Sequence, residues 1–304
     1  MNIQDKSFVK ALILGIAGSF FFAFTFVLNR SINLSGGYWL WSTSLRYFFT
    51  LLIFLPVCFR SMKPVLSDIK AHPVQWLTWS TVGFGLFYAP LTAASIFAES
   101  WFTCAAWQFT IVAGVLLTPL FGKRIPRKNL LLSMVILLGI FLMQLTRVTD
   151  LGLGSLTVAA LCIVIAAFSY PLGNRKMMAA CGDKLTTLQR VFGMTLCSMP
   201  FWIVCSIFAG IHSGMPGSGQ IFQSFLVALF SGVAATLLFF KATDMVKHNP
   251  AKLAVIEATQ SGEVVFTILL GVVFLHDSFP DTLSLIGIIM IIIGMIANSL
   301  ATKS

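Results

Sequence analysis

Residues 249–275 read NPAKLAVIEATQSGEVVFTILLGVVFL, and this stretch decides the fold class. Asn249 is a favoured N-cap and Pro250 a favoured first helical residue, so a helix starts there. The apolar run 251–274 that follows would extend roughly 36 Å as a helix at 1.5 Å per residue, enough to cross a hydrocarbon core of about 30 Å. Three polar side chains interrupt it. Glu257, Gln260 and Glu263 are spaced by three, so each turns about 60° from the last, and with Thr259 and Ser261 they make one polar flank. A flank carrying two carboxylates cannot face lipid and must line the interior of a helical bundle.

The rest of the chain fits the same solvent. It has 304 residues, of which 58% are hydrophobic and only 10% charged. A soluble surface needs far more charge than that, usually about 25%. The net charge of +10 does not indicate a nucleic-acid partner, because the basic residues sit in short connectors and not in one patch. The six cysteines are scattered without a CxxC pair and read as small buried side chains. The first apolar run continues to Leu28 with no A-x-A-like cleavage site, so it reads as a retained helix.

Dividing the chain at polar, Gly and Pro connectors gives ten spans: 10–29, 38–59, 75–98, 101–121, 129–147, 155–173, 186–210, 221–243, 251–274 and 283–301. Sixteen Lys and Arg fall in connectors on the side of the N-terminus, and two, Arg30 and Arg147, on the other. That bias places both termini in the cytoplasm of a cell-membrane protein. Ten spans make two fives, and an odd number per half inserts the halves with opposite orientation. The expected architecture is therefore all-α, with inverted five-helix repeats at 10–147 and 155–301. Arg46-Tyr47-Phe48, Leu52 and Pro56 match Arg190-Val191-Phe192, Leu196 and Pro200 at one offset of 144, in spans two and seven.

Four charges lie inside spans: Arg46, Arg190, Glu257 and Glu263. Arg46 is roughly 12 Å from the outer end of its span, deep enough to need a cavity or an ionic partner. Arg190 is close to the start of its span and reads as snorkelling or as a structural ion pair. The Glu257–Glu263 flank reads as substrate or proton contact, or as hydrogen-bonding glue between helices. Trp101 reads as an interfacial belt residue. Trp107 and Gln108 lie deeper, where an aromatic wall beside an amide suits an amphipathic or cationic ligand, or simple packing. Gly83-x-Gly85 and Tyr88-Ala89-Pro90 mark a kink, and Gly287 and Gly294 a close helix contact. No HExxH, GxSxG or P-loop is present, and no cofactor, metal or catalytic set is expected.

The stretches Phe26-Val27-Leu28-Asn29-Arg30-Ser31, Gly36-Gly37-Tyr38-Trp39-Leu40-Trp41-Ser42, Leu45-Arg46-Tyr47 and Glu257-Ala258-Thr259-Gln260 with Glu263-Val264-Val265-Phe266 resemble the multidrug resistance efflux transporter family. That family belongs to the drug/metabolite transporter superfamily with the EamA-like proteins. The resemblance covers essentially the whole chain. It implies ten helices in two inverted repeats, a central cavity, alternating access and export of small organic solutes by a monomer or homodimer. The Gly-Glu pair common after spans four and nine in EamA-like proteins is Gly122-Lys123 and His276-Asp277 here, so no role of that Glu carries over. The candidate substrate and proton contacts are Arg46, Glu257, Gln260, Glu263, Trp107, Gln108, Tyr88 and Asn29, with Arg46 attracting a carboxylate or pairing with a span-nine Glu. Three readings follow: a secondary exporter of small organic solutes, with or without proton coupling; a facilitator or antiporter for anionic metabolites such as amino acids; and a membrane-embedded enzyme or sensor.

Overall fold

A computed structural model describes the backbone of residues 3–122, 124, 125, 127–246 and 248–301, and the side chains of those residues outside 3–6, 146–153, 183, 250, 251 and 254. Of the basic connector residues, Lys123, Lys247 and Lys303 lie outside the described residues, and Lys6 and Arg147 outside the described side chains. Every regular element among the described residues is helical, as lipid demands, because a helix satisfies its backbone polar groups internally. Its helices are α1 (Ile3–Leu34), α2 (Trp39–Cys58), α3 (Met62–Ala71), α4 (Pro73–Ser80), α5 (Leu86–Ala94), α6 (Ser100–Trp107), α7 (Phe109–Leu116), α8 (Arg127–Cys181), α9 (Thr187–Cys197), α10 (Met199–Ser213), α11 (Ser218–Val227), α12 (Thr236–Asp244), α13 (Pro250–Ala258), α14 (Gly262–Leu275) and α15 (Thr282–Ala301).

Among the described residues, seven helical stretches are long and apolar enough to cross a membrane, and eight if α9 and α10, bent by 41°, form one span. Several breaks have readable causes. Pro200 at the start of α10 lacks an N–H and crowds the carbonyl four residues earlier, which bends the α9–α10 pair at Ser198. A π-helical turn, Thr81–Gly85, joins α4 to α5 at the expected Gly83-x-Gly85 kink. A second π-helical turn, Ala228–Ala235, joins α11 to α12. A 3₁₀ turn, Thr259–Ser261, separates α13 from α14, and Asn249 caps α13 by accepting from the Lys252 N–H.

Helix α8 runs 55 residues, where the sequence predicts two spans, 129–147 and 155–173. A straight helix of that length would reach roughly 80 Å, far beyond a bilayer. Its arms Arg127–Leu145 and Gly154–Cys181 each qualify as a span. Leu137 and Phe141 of the first arm and Leu156 and Leu161 of the second wall one cleft with Ala106 and Phe109. Both arms therefore face one cleft.

The first arm packs on α15 through the expected glycines. A Cβ on Gly287 would lie 2.5 Å from the Gly139 carbonyl oxygen, and one on Gly294 2.6 Å from Ile136 Cγ1. Asn129 Nδ2 donates to Asn298 Oδ1 at 2.8 Å across the same contact. In lipid, close backbone approach and buried polar bonds replace the hydrophobic effect as the glue between helices.

Candidate functional site

The helices enclose a cavity of about 260 Å³. Its floor and walls come from α1 and α2, from the two π-turn segments, from α7, from the second arm of α8, and from α9 and α14. Of the residues singled out in the sequence, Arg46, Trp107, Gln108, Gln260 and Glu263 line it together. The 3₁₀ turn before α14 rotates Gln260 and Glu263 onto this wall, while Glu257 on α13 is not among the lining residues. The 60° stagger of the three side chains, and then the break, explain the separation.

Asn29 and Tyr88 sit one layer behind. Tyr88 is fully buried, and its hydroxyl accepts from Asn29 Nδ2 at 2.8 Å. The Arg46 guanidinium stacks 3.7 Å from the Tyr88 ring centroid and 5.4 Å from that of Tyr47. Tyr47 in turn stacks on Trp202 at 4.3 Å. Arg46 is thus held by ring faces, which the planar guanidinium can stack on while its edge stays free to hydrogen-bond. Along its edge, Nη2 makes a long 3.4 Å contact to Ser231 Oγ, and Nη1 is buried without an acceptor. Ser231 Oγ also bonds Thr25 Oγ1.

The expected pairing of Arg46 with a span-nine carboxylate is not made. Among the described residues the ion pair within 4.0 Å is His72–Asp68, at a connector. Glu263 has the neutral amide of Gln108 as a neighbour, and Gln108 Nε2 donates to the Cys104 carbonyl at 3.2 Å. Arg46 and Glu263 therefore face one cavity with no ion pair to neutralise either. Arg190 is not among the lining residues; it is half-buried, and its Nε is buried without an acceptor.

Apolar walls surround the charges. Phe87, Trp107 and Tyr170 form a triad with centroids 4.8–5.8 Å apart. Tyr170, Asn174, Thr195 and Thr236 line the cavity and were not anticipated. Single polar residues spread over three apolar runs and their margins leave no motif, although a Thr or Asn with no lipid role is a usable signal.

At the end of the bundle that holds Leu34, Ser95 and Asp277, side-chain hydrogen bonds tie helices and connectors together. Asp277 Oδ2 accepts from the Ser100 N–H at 3.0 Å and from Ser100 Oγ at 2.5 Å, capping α6 from the α14–α15 connector. Trp101 is fully buried there and donates its indole N–H to the Ser278 carbonyl at 2.9 Å, which corrects the belt reading. Gln220 reaches the Tyr38 carbonyl at 2.7 Å, and Trp41 Nε1 the Gly214 carbonyl at 2.8 Å. Replacing Asp277 by Ala leaves two buried donors without an acceptor, so the expected cost is about 1–3 kcal/mol for each orphaned group. The check is the thermal unfolding midpoint of purified protein in detergent, which falls if the cap matters.

Comparison with known families matches residues 9–304 to the multidrug resistance efflux transporter family, EmrE. The chain belongs to this family. A relative named "Uncharacterized protein YjlA" from Bacillus subtilis (strain 168) is 46% identical over 310 residues, covering 97% of this chain and 96% of the relative. A 42.1 kDa protein of Shouchella clausii, named for its place beside an intracellular alkaline protease, is 42% identical over 267 residues, covering 84% of this chain and 70% of that protein. A solved structure titled "Crystal structure of protein" superposes with a TM-score of 0.64 at 13% identity, over 96% of this chain and 97% of its own. That likeness is one of fold. As a member of the efflux family, the chain is a multi-pass membrane protein of the small-solute transporter kind.

Proposed function

We propose that this family member is a secondary-active exporter of small organic solutes working by alternating access, with ten membrane helices in two inverted repeats at 10–147 and 155–301. The observation that carries the reading is the cavity itself, walled by both halves and holding Arg46 and Glu263 without an ion pair. Equivalent irregularities recur in equivalent spans and support the duplication. The third and eighth carry π-helical turns at Thr81–Gly85 and Ala228–Ala235. The fourth and ninth are interrupted at Gln108 and at Thr259–Ser261. Both of these end in a left-handed residue, Gly122 at φ 71° and His276 at φ 55°. The bonds Asp277–Ser100, Trp101–Ser278 and Gln220–Tyr38 join one half to the other at the far end. Export in this scheme requires them to part while the opposite end closes, and the basic-connector bias puts that opposite end and both termini in the cytoplasm of the cell membrane.

The test is flux by purified protein in proteoliposomes, with an outward solute gradient or a pH gradient imposed. Saturable movement of organic solutes, blocked by cross-linking cysteines placed at 100 and 277, is the expected result. A protein that moves none of a broad panel of drugs, amino acids and organic acids is not an exporter.

A further inference from the structure

The cavity charges say more about the solute than the family name does. Arg46 holds its guanidinium carbon over the Tyr88 ring, 3.7 Å from the centroid, so the ring covers the group from one side. Asn29 fixes Tyr88 through its hydroxyl at 2.8 Å. The in-plane edge of the guanidinium is where hydrogen bonds form, and it is poorly served. Nη1 is buried without an acceptor, and Nη2 has only the long contact to Ser231 Oγ at 3.4 Å. A buried donor without an acceptor is costly and calls for a missing group, and a planar guanidinium fork matches a carboxylate bidentately. Glu263 stands on the same cavity wall with an amide, not a cation, for company. The cavity therefore offers one anion-binding and one cation-binding group that do not neutralise each other.

Size narrows the solute further. About 260 Å³ lies below the usual range of roughly 300–1,000 Å³ for drug-sized ligands. The Phe87, Trp107 and Tyr170 rings supply an apolar wall to the same cavity. Resting on the transporter reading above, we infer that the solute is a small zwitterion of the amino-acid type, its carboxylate on Arg46, its ammonium on Glu263 and its apolar body against the ring wall. A purely cationic solute would leave Arg46 without its acceptor and set a second positive charge beside it.

The experiment measures binding, by thermal shift and by quenching of the cavity tryptophan fluorescence in purified, detergent-solubilised protein. The probes are phenylalanine, leucine and methionine, each compared with its amide, which is cationic, and with its N-acetyl form, which is anionic. The expected result is that at least one zwitterion binds, and that both of its capped forms bind at least about tenfold more weakly. Arg46→Gln abolishes that preference. Arg46→Lys, which keeps the charge but loses the fork, weakens the zwitterion while leaving the amide unchanged, and size-exclusion profiles verify folding of both. An amide that binds as tightly as its zwitterion, no binding of any zwitterion, or Arg46→Lys binding like the wild type overturns the inference. Flux is scored separately. Binding without flux sinks the exporter reading and keeps the solute class, whereas flux of cations without zwitterion binding does the reverse.

Discussion

Gly173→Ala yields no monodisperse folded protein. Gly173 lies in the second arm of α8, where it crosses the π-helical turn Thr81–Gly85. A Cβ there would press on the Gly83 backbone at Cα and N, and would stand 2.8 Å from the Trp79 carbonyl oxygen. All three obstacles are main-chain atoms, which cannot rotate away as a side chain does. Relief would require the two helices to separate, breaking the contact that sets the position of Phe87 against Tyr170 at 4.8 Å. Insertions into packed regions cost about 1–3 kcal/mol when side chains can adjust, and more when backbone must move. The expected loss is therefore at least about 3 kcal/mol, on the scale of a domain's whole stability margin. Two controls separate this from a general intolerance of alanine. A Cβ on Gly83 meets Met194 Cε, the free end of a flexible chain, at 3.0 Å and Gly173 Cα at 3.2 Å, so Gly83→Ala is milder. On Gly210 the nearest atom is Trp41 Cζ2 at 3.7 Å, an ordinary contact, and Gly210→Ala leaves the unfolding midpoint unchanged. Detergent melting curves of the three variants check the order, and a well-behaved Gly173→Ala protein would show that the crossing is looser than described.

This crossing also marks the boundary of what a sequence discloses. Gly83-x-Gly85 stood out because two glycines in a span lack any lipid function, and a π-helical turn lies there. Their partner, Gly173, could not be named, because the α8 arm that carries it arrives from about 90 residues away. Hydropathy is a local property and reads the membrane class and the polar flank of span nine directly. Helix breaks at Gln108 and Thr259–Ser261 carry no such mark, since neither contains a proline. Trp101 makes the same point. Its position at the head of a span fits an interfacial tryptophan, but the acceptor for its indole is a carbonyl at Ser278. Formal charges can be counted in a sequence, and the count of two arginines and two glutamates in spans is neutral. Whether they pair depends on rotamers, and Arg46 is instead fixed by aromatic faces. Asn29 and Tyr88 accordingly belong to the shell that aims Arg46, a role that their types alone did not distinguish from direct contact.

Glu263→Gln lowers gradient-driven flux on the order of a hundredfold while leaving expression and folding intact. The amide is nearly isosteric with the carboxyl, and among the described residues no cation within 4.0 Å is left unpaired by the change. The side chain of Thr267 bonds the Glu263 main-chain carbonyl at 2.7 Å, which the substitution keeps. What disappears is a negative charge and an exchangeable proton on the cavity wall. A Gln there can accept hydrogen bonds from a solute ammonium, but it can neither neutralise the charge nor carry a proton across. Glu257→Gln is the matched control: it removes the same charge from the same polar flank, at a position that is not on the cavity wall. In proteoliposomes with an imposed pH gradient, Glu257→Gln is expected to move solute at near the wild-type rate. Downhill flux without a pH gradient then divides the two roles of Glu263. If Glu263→Gln retains downhill movement and loses only the gradient-driven part, the carboxyl couples protons. If both vanish, it holds the solute. Undiminished flux in both modes removes Glu263 from the transport mechanism altogether, and equal losses in Glu257→Gln would show that the charge of the whole flank, and not its place on the wall, is what the cavity uses.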